Sequence, residues 1–157
     1  MSYKTYTPGR DLEAFVKCYW TLEMPKETEP ERQRIVPDGC IEMIFHYGDL
    51  YRQHRSDGGS FIQPKCFVFG QITEPLEIEA TGVTGIFAVR FHPEGFTPFA
   101  TISLKDMENR PVPLDELFAD DGVALAEEVL SSETTEERIS MVEKFLLAKL
   151  VSRESVD

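Results

Sequence analysis

The feature that most constrains the fold of this chain is a change in the spacing of its apolar residues near residue 114. Before that point, apolar stretches of strand length are rich in aromatic and β-branched residues and are separated by Gly and Pro. These stretches are residues 18–22, 41–47, 66–70, 76–80 and 85–91. After it, apolar residues recur at helical spacing. The order predicts an α+β fold, with an antiparallel sheet or barrel followed by C-terminal helices.

The helical part contains a clear start signal. Thr134 and Glu137 have the spacing of a capping box, and an apolar stripe follows on one side of the helix. The stripe consists of Ile139, Val142, Phe145, Leu146 and Leu150. It can pack on the sheet as core, or it can join protomers. No repeat or linker divides the chain, so we predict one domain over residues 1–157, mainly β over 1–113 with a helical tail over 114–157.

The charge is strongly acidic and unevenly distributed. The 16 Lys and Arg against 28 Asp and Glu give a formal charge of −12, and residues 111–157 alone contribute 4 basic and 12 acidic side chains. Nucleic acid is held by clustered cations, so we expect no direct nucleic-acid contact by this chain. The acidic tail is either the solvated face of surface helices or a surface that docks a basic partner domain.

The N-terminus and the cysteines indicate a reducing compartment. No apolar h-region follows the first basic residue, and no apolar run is long enough to cross a membrane. The three cysteines form no C-x-x-C pair. We therefore expect a cytoplasmic protein without membrane association, large enough to fold without disulfides or a structural metal.

The usual catalytic motifs are missing from the sequence. His46, His54 and His92 are well separated, and there is no H-x-H, H-E-x-x-H, G-x-S-x-G, P-loop or G-x-G-x-x-G. This predicts a protein that is not an enzyme and needs no cofactor. The competing hypothesis is a stand-alone, cupin-like metal-dependent enzyme, which would place Glu42, His46, Arg90 and His92 around a metal.

A turn followed by a strand carries the first candidate site residues. Pro37, Asp38 and Gly39 form a turn signal, since proline presets φ, aspartate can bond the backbone two residues on, and glycine accepts positive φ. In the strand that follows, alternation puts Glu42 and His46 on one face. That face is either solvent-exposed, or it looks into an interior where Glu42 needs a partner.

Arg90 is the second candidate, because it interrupts an otherwise apolar strand. Alternation places Arg90 and His92 on one face of this strand. The guanidinium can form an ion pair with Glu42 or Asp38, or it can anchor an anionic ligand. Trp20 and Gln71 are further candidates, which can either pack in the core or form the wall of a pocket. The candidate ligand-binding residues are Trp20, Asp38, Glu42, His46, Gln71, Arg90 and His92.

Five motifs in a fixed order carry a family resemblance. They are Leu12-x-x-Phe15-Val16-x-x-Tyr19-Trp20, Pro37-Asp38-Gly39-Cys40-x-Glu42-x-x-Phe45, Phe69-Gly70-Gln71, Gly85-x-x-x-Val89-Arg90-Phe91-x-Pro93-x-Gly95 and Leu114-x-x-Leu117. From about residue 8 to about residue 150, the chain resembles the N-terminal regulatory domain of AraC/XylS-type bacterial transcription regulators, in the branch with a PDGC-x-E motif.

The resemblance implies a β-rich, cupin-like sensor followed by helices that connect to a pair of helix-turn-helix motifs. The sequence ends at Asp157 without a basic recognition-helix segment, so we expect an excised regulatory domain or a stand-alone version. Such a domain would bind a small-molecule effector or form a homodimer, and thereby bias a DNA-binding half. A purely structural dimerisation module with a filled barrel is a further alternative.

Overall fold

Ten β-strands precede two α-helices in the computed structural model, which describes residues 1–156. The strands are β1 Ser2–Tyr6, β2 Val16–Met24, β3 Gln33–Ile35, β4 Glu42–His46, β5 Tyr51–His54, β6 Ser60–Ile62, β7 Cys66–Phe69, β8 Leu76–Ala80, β9 Thr84–Phe91 and β10 Pro111–Pro113. The helices are α1 Leu114–Ser131 and α2 Thr135–Val156. The predicted α+β fold is confirmed, and α1 begins at the residue where the apolar spacing changes.

The strands form two antiparallel sheets. The larger sheet has the order β1-β2-β9-β4-β7-β10, and the smaller has the order β3-β8-β5-β6. Within residues 1–156 no ladder of hydrogen bonds joins the two sheets, so the β region is not a closed barrel. The cavity between the sheets is therefore bounded by side chains rather than by a continuous ring of strands.

The central strands of the larger sheet are buried on both faces. Met43 and Phe45 of β4 face the core cluster that includes the two helices, and both are fully buried. The opposite face of the sheet contributes Ile86 and Ala88 of β9 to a second cluster with residues of β5 and β8. Period-two alternation thus separates a helix-facing core from an inter-sheet core.

The helical tail packs on the larger sheet. Val142 and Leu146 of α2 are completely buried, and the other residues of the apolar stripe are partly buried against the same core cluster. A polar contact fixes the helix as well, because the Glu143 carboxylate accepts hydrogen bonds from the Tyr19 hydroxyl and the Gly9 amide, each at 2.8 Å. Core packing is therefore the structural role of the α2 stripe within this chain.

Local signals located the helix ends with mixed success. One half of the capping box is present, since the Thr134 hydroxyl oxygen accepts a hydrogen bond from the Glu137 amide at 3.2 Å, while the Glu137 carboxylate accepts from the Glu133 amide. The first helix begins at Leu114, and its chain bends at Ala119, two residues before Asp121. Oδ2 of Asp121 accepts a hydrogen bond from Nζ of Lys149 at 2.7 Å. No helix among the described residues is apolar and long enough to span a bilayer.

Candidate functional site

A cavity of about 120 Å³ lies between the two sheets. Most of its wall is apolar and is built by Ile35, Ile44, Phe69, Leu76, Ile78 and Ile86. Four of the predicted site residues, Trp20, Asp38, Glu42 and His46, also line it. The sequence did not decide whether the face of β4 with Glu42 and His46 is exposed to solvent or turned to the interior. In the structure, this face lines the inter-sheet cavity.

Glu42 forms the centre of a charged cluster at one end of the cavity. Its Oε2 accepts a hydrogen bond from the Trp20 indole N–H at 2.6 Å, and its Oε1 lies 3.9 Å from Nη1 of Arg90. The Arg90 guanidinium also donates to Oδ2 of Asp38. The predicted ion pairing of Arg90 is present, with both of the carboxylates that the sequence offered.

The position of Asp38 follows from the local turn. Its Oδ1 accepts a hydrogen bond from the Cys40 amide at 2.9 Å, and Gly39 has a φ of 82°. This is the turn geometry that the Pro-Asp-Gly sequence predicts, because the aspartate bonds the backbone two residues on and glycine tolerates positive φ. The second oxygen of Asp38 is left free to meet Arg90.

Burial sets the protonation behaviour of this cluster. It raises the pKa of Glu42 above its ordinary value, and the Trp20 hydrogen bond and the Arg90 charge only partly offset that effect. For Arg90, burial opposes the charged form, but the carboxylates of Glu42 and Asp38 outweigh it and raise the pKa. The guanidinium is thus held in its charged form, while burial disfavours the ionised form of the Glu42 carboxylate.

His46 supplies a polar group at the other side of the cavity. The residue is 3% exposed, its Nε2 lies 3.0 Å from Oε1 of Gln63, and the Gln63 amide nitrogen donates to Oε1 of Gln53 at 3.2 Å. That second bond orients the Gln63 oxygen toward the imidazole, so Nε2 carries the proton. Nδ1 is therefore a basic lone pair, and it is buried without a hydrogen-bond partner.

Burial also keeps the imidazole neutral. It lowers the pKa of His46, and the Gln63 hydrogen bond offsets only part of this effect. The ring stacks on Tyr51, with centroids 5.5 Å apart. A neutral, stacked imidazole with an unused acceptor atom is a group that can bind a hydrogen-bond donor.

Three predicted site residues do not line the cavity: Gln71, His92 and Arg90, of which Arg90 pairs with the lining residues Asp38 and Glu42. Gln71 is exposed and donates to the Gly39 carbonyl at 3.4 Å. His92 comes after β9 ends at Phe91, and its Nε2 lies 3.1 Å from the carbonyl oxygen of Glu13. Pro93 follows directly and ends the strand, so His92 does not share a strand face with Arg90 as alternation predicted.

The metal hypothesis required Glu42, His46, Arg90 and His92 to converge, and the structure does not bring them together. Arg90 pairs with Glu42, whereas His46 and His92 bind other partners. Over the described part of the chain, no group of three or more His, Cys, Asp or Glu side chains is arranged to hold a metal ion.

Sequence reasoning missed the contribution of the smaller sheet. Residues 52–60 are polar and belong to none of the five apolar stretches, but β5 and β6 form a hairpin there, and Tyr51, Gln53 and Gln63 are buried. The signal was present in β5, where alternation puts Tyr51 and Gln53 on the same face. A polar strand of four residues gives little hydrophobic contrast, which is why the pattern was not recognised.

A second, wider depression of about 710 Å³ lies beside β3, β5 and β8. Its charged side chains are balanced, with three arginines facing three carboxylates. They are Arg34, Arg55, Arg110, Asp57, Glu74 and Glu77. The depression contains no buried atom without a hydrogen-bond partner among the described residues. The inter-sheet cavity is the better candidate site, because it combines enclosure, a charged cluster and an unused acceptor.

Taken together, these features define a two-sheet antiparallel domain with a small, mostly apolar cavity and a helical tail. Residues 4–113 match the model of a family described as a domain of unknown function (DUF6597), which is more than half of the chain. The chain belongs to this family. The matched region ends at the last strand, directly before α1. No curated protein matches the sequence.

Proposed function

We propose that this domain is the effector-binding part of a cytoplasmic AraC/XylS-type transcription regulator, and that the effector binds in the inter-sheet cavity. The ordered motifs of the sequence support the regulator class. The observation that carries the binding role is the cavity itself, which has a mainly apolar wall, a charged cluster at one end, and His46 among its lining residues. Small-molecule sites have this composition, with few polar groups in an apolar wall.

Strand β4 offers a route from the cavity to the helices. Glu42, Ile44 and His46 face the cavity, while Met43 and Phe45 of the same strand face the core that includes α1. An effector that contacts both sheets can move β4 relative to the smaller sheet, and α1 contacts β4 directly. If the domain has two conformations that affect a DNA-binding domain differently, the effector can shift their equilibrium only by the difference between its affinities for them.

The charge distribution supports an indirect relation to DNA. With a formal charge of −12, this chain repels the phosphate backbone, so specificity for DNA would come from a basic partner domain. We expect a gel-shift experiment with this chain alone to show no specific binding to double-stranded DNA. Specific binding at nanomolar concentration would contradict the proposal.

A screen of small metabolites tests the effector role. We expect at least one compound to raise the melting temperature of the domain by mass action. Ile44→Trp fills the cavity and should abolish that shift, whereas Val123→Trp places the same side chain on an exposed position of α1 and should not. A shift that is equal in both variants, or no shift with any compound, would count against effector binding in this cavity.

A further inference from the structure

The charged groups at the cavity leave a net negative charge. Asp38 and Glu42 line the wall, and Arg90 is the cation that pairs with them. No other charged side chain is among the residues that line the cavity in the described part of the chain. With both carboxylates ionised, the single guanidinium leaves one negative charge. Arg90 is therefore occupied, and an incoming carboxylate would meet repulsion rather than an anchor.

The polar atoms that the cavity offers are mainly acceptors. The Glu42 carboxylate can accept more hydrogen bonds than the one from Trp20, and the lining residue His46 has an Nδ1 atom that is buried with no partner. The Trp20 indole N–H is already used on Glu42, and the Tyr51 hydroxyl is paired with Thr84 at 2.9 Å. A ligand that brings donors would satisfy these atoms, while a ligand that brings only acceptors would not.

Aromatic rings surround the same space. Trp20, Tyr51 and Phe69 line the cavity together with His46. The faces of aromatic rings attract cations, and the attraction grows when the cation is shielded from water. At about 120 Å³, the cavity is close in size to an engineered cavity of about 150 Å³ that accepts benzene, so the ligand is small.

We infer that the cavity selects a small molecule with an apolar body and a protonated amine. This inference rests on the proposed effector-binding function and names the chemical class of the effector. The ammonium group takes a position beside Glu42 and the aromatic rings, and its N–H groups supply the donors that the cavity lacks. The apolar body occupies the space between the isoleucine side chains of the two sheets.

Four compounds with the same ring skeleton test the charge preference: benzylamine, benzyl alcohol, toluene and benzoate. Trp20 is the only tryptophan in the chain, so its indole N–H resonance and its fluorescence report directly on the cavity. We expect benzylamine to shift the Trp20 signal saturably and to bind about ten-fold more tightly than benzyl alcohol or toluene. Benzoate should not bind.

Two variants that each remove one negative charge test whether the preference for the amine depends on Glu42. Glu42→Gln keeps the shape of the side chain and an acceptor for Trp20 but removes the charge. It should therefore lower the affinity for benzylamine about ten-fold and change the affinity for benzyl alcohol by less than about two-fold. Glu77→Gln removes an equal charge from an exposed residue of β8 and should change neither affinity. If Glu42→Gln does not fold, Asp38→Asn makes the same comparison.

The outcomes distinguish the inference from the function on which it rests. Preference for benzoate or toluene over benzylamine, or an amine affinity that is insensitive to both carboxylate variants, overturns the amine inference and leaves effector binding intact. Failure of all four compounds to shift the Trp20 signal also overturns it. The proposed function is decided separately by the metabolite screen and the Ile44→Trp variant.

Discussion

Glu42 and Arg90 occupy directly opposite positions on the neighbouring strands β4 and β9, and Oε1 of the carboxylate lies 3.9 Å from Nη1 of the guanidinium. The pair belongs to the charged cluster at one end of the inter-sheet cavity, in which Glu42 also accepts from the Trp20 indole and Arg90 also donates to Asp38. The side chains of Arg90 and Glu42 are 26% and 23% exposed, so the pair is neither a surface salt bridge nor a fully buried one.

Loss of Arg90 leaves the Glu42 carboxylate with Trp20 as its remaining partner. We expect Arg90→Ala to lower the free energy of unfolding by roughly 2 kcal/mol, between the effects typical of exposed and of buried ion pairs. Adding Glu42→Gln should recover about half of that loss, since the uncompensated charge is removed. Urea unfolding of the single and double variants measures both quantities.

The exposed pair between Arg32 and Glu77, with side chains 59% and 44% exposed, provides the control. Arg32→Ala should change the free energy of unfolding by less than about 0.5 kcal/mol. An Arg90→Ala protein as stable as wild type would show that the cluster does not contribute to stability.

His46 should make the stability of the domain depend on pH. Burial lowers its pKa from the ordinary value of 6.5, so the unfolded chain takes up a proton at a higher pH than the folded protein does. The contribution of neutral His46 is therefore complete above about pH 6.5 and is lost as the pH falls toward the lowered pKa. Urea unfolding at several pH values between 5 and 8 measures this loss.

The variant His46→Phe keeps a ring against Tyr51 and should remove this part of the pH dependence. Met43→Leu alters a buried residue of the same strand on its opposite face, so it should lower stability at every pH without changing the slope. If wild type and His46→Phe have parallel profiles, the imidazole does not titrate differently on folding.

Ala119 adopts a backbone conformation that favours glycine. Its φ of 50° and ψ of −130° lie at the bend in α1, and the side chain is exposed. We expect Ala119→Gly to raise the free energy of unfolding by about 1 kcal/mol, because the strain of a Cβ atom at such a position is removed. Ala124→Gly, at an exposed position of the same helix, should lower it by about 1 kcal/mol. Thermal or urea unfolding shows whether each variant is more or less stable than wild type. Equal losses of stability in the two variants would contradict a strained backbone at Ala119.

Glu143 connects the helical tail to the larger sheet through Tyr19, which is fully buried. Glu143→Ala leaves the Tyr19 hydroxyl without its partner and should lower the free energy of unfolding by about 2 kcal/mol. Glu127→Ala removes an exposed carboxylate of α1 and should have an effect below about 0.5 kcal/mol. A double-mutant cycle with Tyr19→Phe isolates the hydrogen bond, and a coupling energy near zero would contradict its role.

The amino-acid sequence determined the local structure of the candidate site. The Pro-Asp-Gly turn formed as expected at Asp38, and alternation in β4 correctly placed Glu42 and His46 on one face. The change from strand to helical spacing located the start of α1. These features are readable because they depend on backbone preferences and side-chain periods over a few neighbouring residues.

Tertiary structure alone decided which of these residues meet. The register that sets Glu42 opposite Arg90 depends on β4 lying beside β9, and the partner of His46 comes from the loop after β6. His92 is separated from Arg90 because β9 ends at Phe91. Pairings between distant segments are fixed by the simultaneous packing of both sheets and the helices, and a local pattern carries no information about which strand becomes the neighbour.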